Sequence, residues 1–282
     1  MNLLSANVSV FGLTDVGRAR QTNEDHFIIV SLGRAIKLRQ TSLTDVEPFD
    51  RIRGPEALVL VVADGVGGHS GGALASATAV TTLIEYVGEA AGCFGGFDIE
   101  REQEFLESLE RGVQRAHERI VAEFAEGDVR PATTLTMATL VWPRAYLVHV
   151  GDSRAFYMRK GRLRQLTRDQ TMGEYMVEAG AWTEEQARKA PSAKVLASAV
   201  GAPDMMPSVG LVDLEEGDTL LLCTDGLTRH VNDDRIRSIL EEVDSAERGC
   251  RELVDAALAE GARDNVTVIV ARCEPERRRT GG

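Results

Sequence analysis

Five aspartates sit where hydrophobic runs begin or end. Asp64 closes the apolar run 57–63, Asp152 follows 146–151, and Asp225 follows 219–224. Asp25 precedes the run 26–31, and Asp264 stands just before 266–270. In antiparallel sheets the end of one strand lies beside the start of the next, so all five can meet at one edge. Carboxylates that close together raise each other's pKa, and the cluster must share protons or hold cations. A donor set made only of oxygen suits hard ions such as magnesium, manganese or calcium. Glycine follows Asp64 and Asp225, which lets the backbone approach an ion and offers its carbonyl as a ligand. Taken singly, Asp-Gly after a strand is most often a turn. Asp152-Ser153-Arg154 reads equally well as a turn with a local ion pair, and Asp264-Asn265 as a strand-start cap. The joint occurrence shifts the weight toward a metal site.

The glycines after Asp64 raise a second possibility, a phosphate cradle. A nucleotide-type loop needs a lysine and a hydroxyl residue after its last glycine, and no lysine follows Gly65, Gly67, Gly68, Gly71 or Gly72. The dinucleotide fingerprint is matched only loosely, and an acidic residue precedes the loop. Asp64 at the strand end points to a metal.

These residues need a scaffold. Alternating or apolar runs predict strands over 7–14, 26–31, 57–63, 134–142, 145–150, 155–159, 163–166, 208–212, 219–223 and 266–272. A helix of small residues is expected over 72–86, with Leu74, Ala77, Leu83 and Ile84 inward, and Gly92 to Gly96 is expected to break the chain. Helical spacing predicts a second helix over 102–126, with Phe105, Leu109, Val113, Ala116, Ile120 and Phe124 on one face. Further helices are expected over 233–242 and 245–260, the second burying Cys250, Leu253, Val254, Ala257 and Leu258. Two short helical stretches fall between 170 and 190. Residues 32–56 read as an inserted loop or hairpin, and 274–282 as a disordered tail. Short turns between most strands favour antiparallel sheets with helices packed outside.

Composition narrows the function classes. The 282 residues include 32 basic and 44 acidic side chains, a formal net charge of −12. A nucleic-acid binder would carry a basic face instead. The four cysteines lie far apart and read as buried apolar groups of a reducing compartment. No secretory leader or membrane-length apolar run is visible, so the expectation is a cytoplasmic protein without membrane or nucleic-acid partners.

Taken in order, the motifs resemble the metal-dependent serine/threonine protein phosphatases (the PPM or type-2C family), in its bacterial branch. The residues that carry the resemblance are Arg20 to Asp25, Val62 to His69, Ala132-Thr133-Thr134, Gly151-Asp152-Ser153-Arg154, Thr224-Asp225-Gly226-Leu227 and Arg263 to Thr267. The resemblance implies an α+β fold: a four-layer αββα sandwich of two antiparallel sheets with helices on both outer faces. It implies one domain over 1–273, with residues 168–201 as a flap beside the active site. By the same resemblance, Asp64 bridges two Mn²⁺ or Mg²⁺ ions, the Gly65 carbonyl binds one of them, and Asp225 and Asp264 hold the other. Asp25 and Glu24 act through bound waters, Asp152 holds a weaker third ion, and Arg20 grips the substrate phosphate. The implied reaction is hydrolysis of phosphoserine and phosphothreonine by a metal-bridging hydroxide. Phosphoproteins and a cognate serine/threonine kinase are the implied partners of a monomer. The competing readings are a non-catalytic regulatory module on the same fold and a hydrolase of small phosphate esters. Animal relatives carry a histidine directly after the Asp-Gly pair. Val66 stands there in this chain, and His69 lies further on.

Overall fold

The computed structural model describes residues 7–32, 36–41, 57–67, 70–94, 102–125 and 130–274. The strands among them are β1 (Asn7–Asp15), β2 (Asp25–Leu32), β3 (Ile36–Thr41), β4 (Ala57–Val66), β5 (Ala132–Thr133), β6 (Leu135–Val141), β7 (Arg144–Val150), β8 (Arg154–Arg159), β9 (Arg162–Gln165), β10 (Ser208–Asp213), β11 (Thr219–Cys223) and β12 (Val266–Glu274). One sheet runs β1-β12-β11-β8-β9. The other runs β10-β7-β6-β4-β2-β3, with β5 beside the end of β4. Every pairing is antiparallel. The helices are α1 (Ser70–Phe94), α2 (Glu102–Glu123), α3 (Met172–Glu178), α4 (Glu184–Lys189), α5 (Asp225–Thr228), α6 (Asp233–Glu242) and α7 (Ala246–Ala259).

Three apolar cores give four layers. Successive side chains of a strand point to opposite faces, and β4 obeys this throughout. Val59, Val61 and Ala63 pack in the core with α1 and α2, while Leu58, Leu60 and Val62 face the other sheet. In β12, Val266, Val268 and Val270 face the core that holds α6 and α7, while Ile269, Ala271 and Cys273 point into the sandwich. Burial on both faces explains why these strands read as continuous apolar runs. The expected αββα sandwich is the observed architecture.

The differences from the sequence reading are local. Helix α1 starts at Ser70, two residues before the expected start, and runs through Gly92 to end at Phe94, inside the expected Gly92 to Gly96 break. Its inward face is Ala75, Ala79, Val80, Leu83, Ile84 and Val87, while Leu74 is exposed. The small alanines let the helix lie close on the sheet, and that requirement outweighs hydrophobicity at position 74. Leu258 is only partly buried. Part of the 32–56 segment is the strand β3, paired with β2 across a register shift at Ile29/Val30. Glu274 belongs to β12 rather than to a tail, and the rest of the expected tail lies outside the described residues.

Candidate active site

The register of the sheet brings the first two aspartates face to face. Asp25 on β2 pairs directly with Asp64 on β4. Strand β4 runs past Asp64 because Gly65 and Val66 pair with Thr133 and Ala132 of β5. Asp64 is therefore fixed within a strand rather than on a loose turn, and its backbone N–H donates to Thr134 Oγ1 at 3.0 Å. Asp152 follows β7, Asp225 opens α5 directly after β11, and Asp264 stands before β12. Asp64, Asp152, Asp225 and Asp264 line one open cleft together with Arg20, Glu24 and Gly65. Asp25 lies behind them and is buried.

Two glycines make this convergence sterically possible. A Cβ on Gly65 would fall 2.2 Å from the Gly72 carbonyl oxygen, and one on Gly226 would fall 1.9 Å from the Asn265 carbonyl oxygen. The first contact presses the start of α1 onto the end of β4. The second presses α5 onto the start of β12, which brings Asp225 toward Asp264.

Burial and mutual repulsion govern the electrostatics of the carboxylates. Burial raises the Asp64 carboxyl well above its usual range, and Asp25, Asp225, Asp152 and Asp264 all push it further. Asp25 is pushed up to about 7, chiefly by burial, against the opposing hydrogen bonds from Thr267 and Thr224. Asp152 is also pushed up to about 7 by burial and by Asp225, with Arg229 pulling it down. Burial raises Asp225 too, again opposed by Arg229.

The hydrogen bonds leave specific oxygens over. Thr224 and Thr267 hydroxyls donate to Asp25 Oδ2 at 2.8 and 2.7 Å, while Asp25 Oδ1 is buried without a hydrogen-bond partner. Asp225 Oδ1 is likewise buried and unpartnered. A buried carboxylate oxygen left unpaired is costly, and a hard cation would satisfy both. The donor set and these two oxygens fit Mn²⁺ or Mg²⁺. In this structure, however, arginines take some of the other oxygens. Arg20 forms a two-pronged pair with Asp264, Nε to Oδ1 at 2.8 Å and Nη2 to Oδ2 at 2.9 Å. Arg229 pairs with Asp225 Oδ2. Among the described residues no three acidic, histidine or cysteine side chains already form a closed metal cage. Ion binding would require some of these pairs to open.

Several contributors were not singled out from sequence. Thr224 and Thr267 were legible only as motif neighbours, and their aim at Asp25 depends on sheet pairing. Asn265 uses its side-chain oxygen to accept from the Glu24 N–H and its amide to reach the Val16 and Thr22 carbonyls. Gln170 exchanges hydrogen bonds with Gly151 beside Asp152, tying the start of the 168–201 segment to the site. The far end of that segment is held by the Thr133–Val200 bridge. Val66 is exposed in the cleft. His69 lies outside the described residues.

The family model described as "Protein phosphatase 2C" matches residues 49–261. The chain belongs to the protein phosphatase 2C family. Within this family, it is 31% identical over 267 residues to the protein phosphatase PhpP of Streptococcus pneumoniae, covering 94% of this chain and 97% of that protein. It is 34% identical over 217 residues to the serine/threonine protein phosphatase PstP of Mycobacterium tuberculosis. That match covers 76% of this chain, which spans only 40% of PstP's length. A solved structure of the PstP catalytic domain in complex with two manganese ions superposes with a TM-score of 0.70 at 27% identity, covering 95% of this chain and 100% of that one.

Proposed function

We propose that this protein phosphatase 2C relative is a Mn²⁺- or Mg²⁺-dependent hydrolase of phosphoserine and phosphothreonine in proteins. The observation that carries the reading is the convergence of five aspartates from five strand boundaries on one edge, two of them with buried unpaired oxygens. The names of PhpP and PstP, and the manganese in the PstP structure, support it.

The residue roles are part of the proposal. Asp64, the Gly65 carbonyl, Asp225 and Asp264 would hold two ions, Asp25 and Glu24 would hold their waters, and Asp152 flanks Asp225 on the cleft wall. Bound ions supply positive charge to the phosphate dianion and a water acidified toward neutral pH. Thr224 and Thr267 fix Asp25 by Oδ2 and leave Oδ1 unpaired. Arg20 exchanges its fork on Asp264 for the phosphate oxygens, for which the planar guanidinium is suited. Val66 offers no proton to the leaving serine or threonine oxygen, so that proton comes from water or from another residue of the cleft.

We extend the reading to a serine/threonine kinase as the source of the phosphoproteins, and to a cytoplasmic monomer. Among the described residues no helix is long and apolar enough to cross a membrane.

Phosphate release from a phosphothreonine peptide with Mn²⁺ is the direct test. Turnover that survives excess chelator would sink the metal reading. Turnover confined to small esters would select the small-ester hydrolase instead. Arg20→Ala should raise KM for phosphopeptide more than it lowers kcat, because a grip made on the bound substrate is largely uniform binding. A lower kcat at unchanged KM would confine Arg20 to the transition state.

A further inference from the structure

Arg229 stands four residues after Asp225, at the C-terminal cap of α5. Its Nη2 contacts Asp225 Oδ2 and lies 3.8 Å from Asp152 Oδ2, while Nη1 lies 3.6 Å from Asp264 Oδ2. One guanidinium thus faces three carboxylates of the cluster. Lys194 from the flap lines the same wall and pulls the Asp225 carboxyl down. The Asp152–Asp225 side therefore carries cations attached to the chain itself. At Asp64, by contrast, the leading influences are burial and the four other aspartates.

The two oxygens of Asp225 divide along this line. Oδ2 is taken by Arg229, whereas Oδ1 is buried and unpaired. Asp225 can give Oδ1 to an ion and keep Oδ2 on the arginine. A divalent ion at the Asp152 side would need the oxygens that Arg229 faces, at about 2.0–2.3 Å, and would be repelled by the guanidinium already there.

We propose that Arg229 takes the place of an ion on the Asp152–Asp225 side, so that the centre loads one divalent ion fewer than its acidic residues would otherwise allow. The proposal rests on the metal-centre reading above. It makes Arg229 a residue that sets metal stoichiometry, acting through Asp152 and Asp225.

The test is Mn²⁺ titration of the metal-stripped full chain by calorimetry. Arg229→Gln should bind one ion more per chain than the wild type, and saturating Mn²⁺ should raise its Tm by more. Arg168→Gln makes the same charge change on the flap, where Arg168 pairs with Glu174 and Glu178, and should keep the wild-type stoichiometry. An Arg229→Gln protein that binds as many ions as the wild type overturns the proposal. A wild type that binds no Mn²⁺ overturns the metal-centre reading with it, so the two failures are distinguishable. A second measurement needs no variant to fold well. With Mg²⁺ saturating, the Arg229 side-chain N–H signals of the wild type should remain protected from exchange. A freely rotating, exchanging guanidinium would show that ions displace it, contrary to the proposal.

Discussion

Asp64→Asn and Asp225→Asn should each lower kcat/KM for phosphopeptide by more than about a hundredfold while the protein stays folded. Losing a partner one shell out from a metal typically costs about 10–100-fold. A residue proposed to touch the ions should cost more. The expectation for stability is the opposite. Asp64 is raised by burial and by four neighbouring carboxylates, and Asp225 by burial, Asp264 and Asp169. A neutral amide of the same shape removes that repulsion. The metal-free Asp64→Asn protein should therefore melt no lower than the metal-free wild type. Asp225→Asn also loses the Arg229 pair, so its gain should be smaller. Steady-state kinetics in Mn²⁺ and thermal melts in chelator check both halves. A variant that keeps more than about a tenth of wild-type turnover would remove that residue from the ligand set.

What could be read in advance follows from how local each signal is. The positions of Asp64, Asp152, Asp225 and Asp264 follow from where apolar runs begin or end, which needs only a few neighbouring residues. The layering was legible for a similar reason, since β4 and β12 are too apolar to have a solvated face. Cross-strand register is not local. That Asp25 faces Asp64, with Thr224 and Thr267 holding its far oxygen, depends on pairings between segments up to 242 positions apart. Leu74 shows the same limit in a helix. Its hydrophobicity suggests an inward position, but the close approach of α1 to the sheet turns Ala75 and Ala79 inward instead. Arg229 carried a weak signal, one helical turn after Asp225. Its meaning depends on Asp152 and Asp264, which arrive from other strands.

Metal-free protein should lose stability as pH rises from about 6.5 to 8, and saturating Mn²⁺ should abolish or reverse that slope. Asp25 and Asp152 are pushed from the ordinary carboxylate value of 3.8 up to about 7 in the folded chain, chiefly by burial. A carboxyl raised on folding contributes its stability in full below its unfolded pKa. That stability is lost as pH climbs through the folded value, because the folded state must then give up protons that the unfolded state has already released. Each such group costs at most about 1.4 kcal/mol per pH unit, half that at pH 7 and little by pH 8, with roughly 2–4 °C of Tm per kcal/mol for a domain of this size. His149 works in the other direction. It is buried between Thr136 and the Arg168 carbonyl and pulled down to about 4, so it destabilises the fold as pH falls below its unfolded value of 6.5. Above that value its unfolded-state charge fades, as does that of His26 and His117, which burial also pulls down, so the carboxylates dominate this window. Ions bind the deprotonated cluster, so their stabilisation grows with pH just where the metal-free protein weakens. Melting curves in chelator and in Mn²⁺ should diverge toward pH 8, and Asp25→Asn should flatten the metal-free slope. A metal-free Tm that holds level or rises over this interval would mean that Asp25 and Asp152 are already ionised, held by Thr224, Thr267 and Arg229 more firmly than burial opposes.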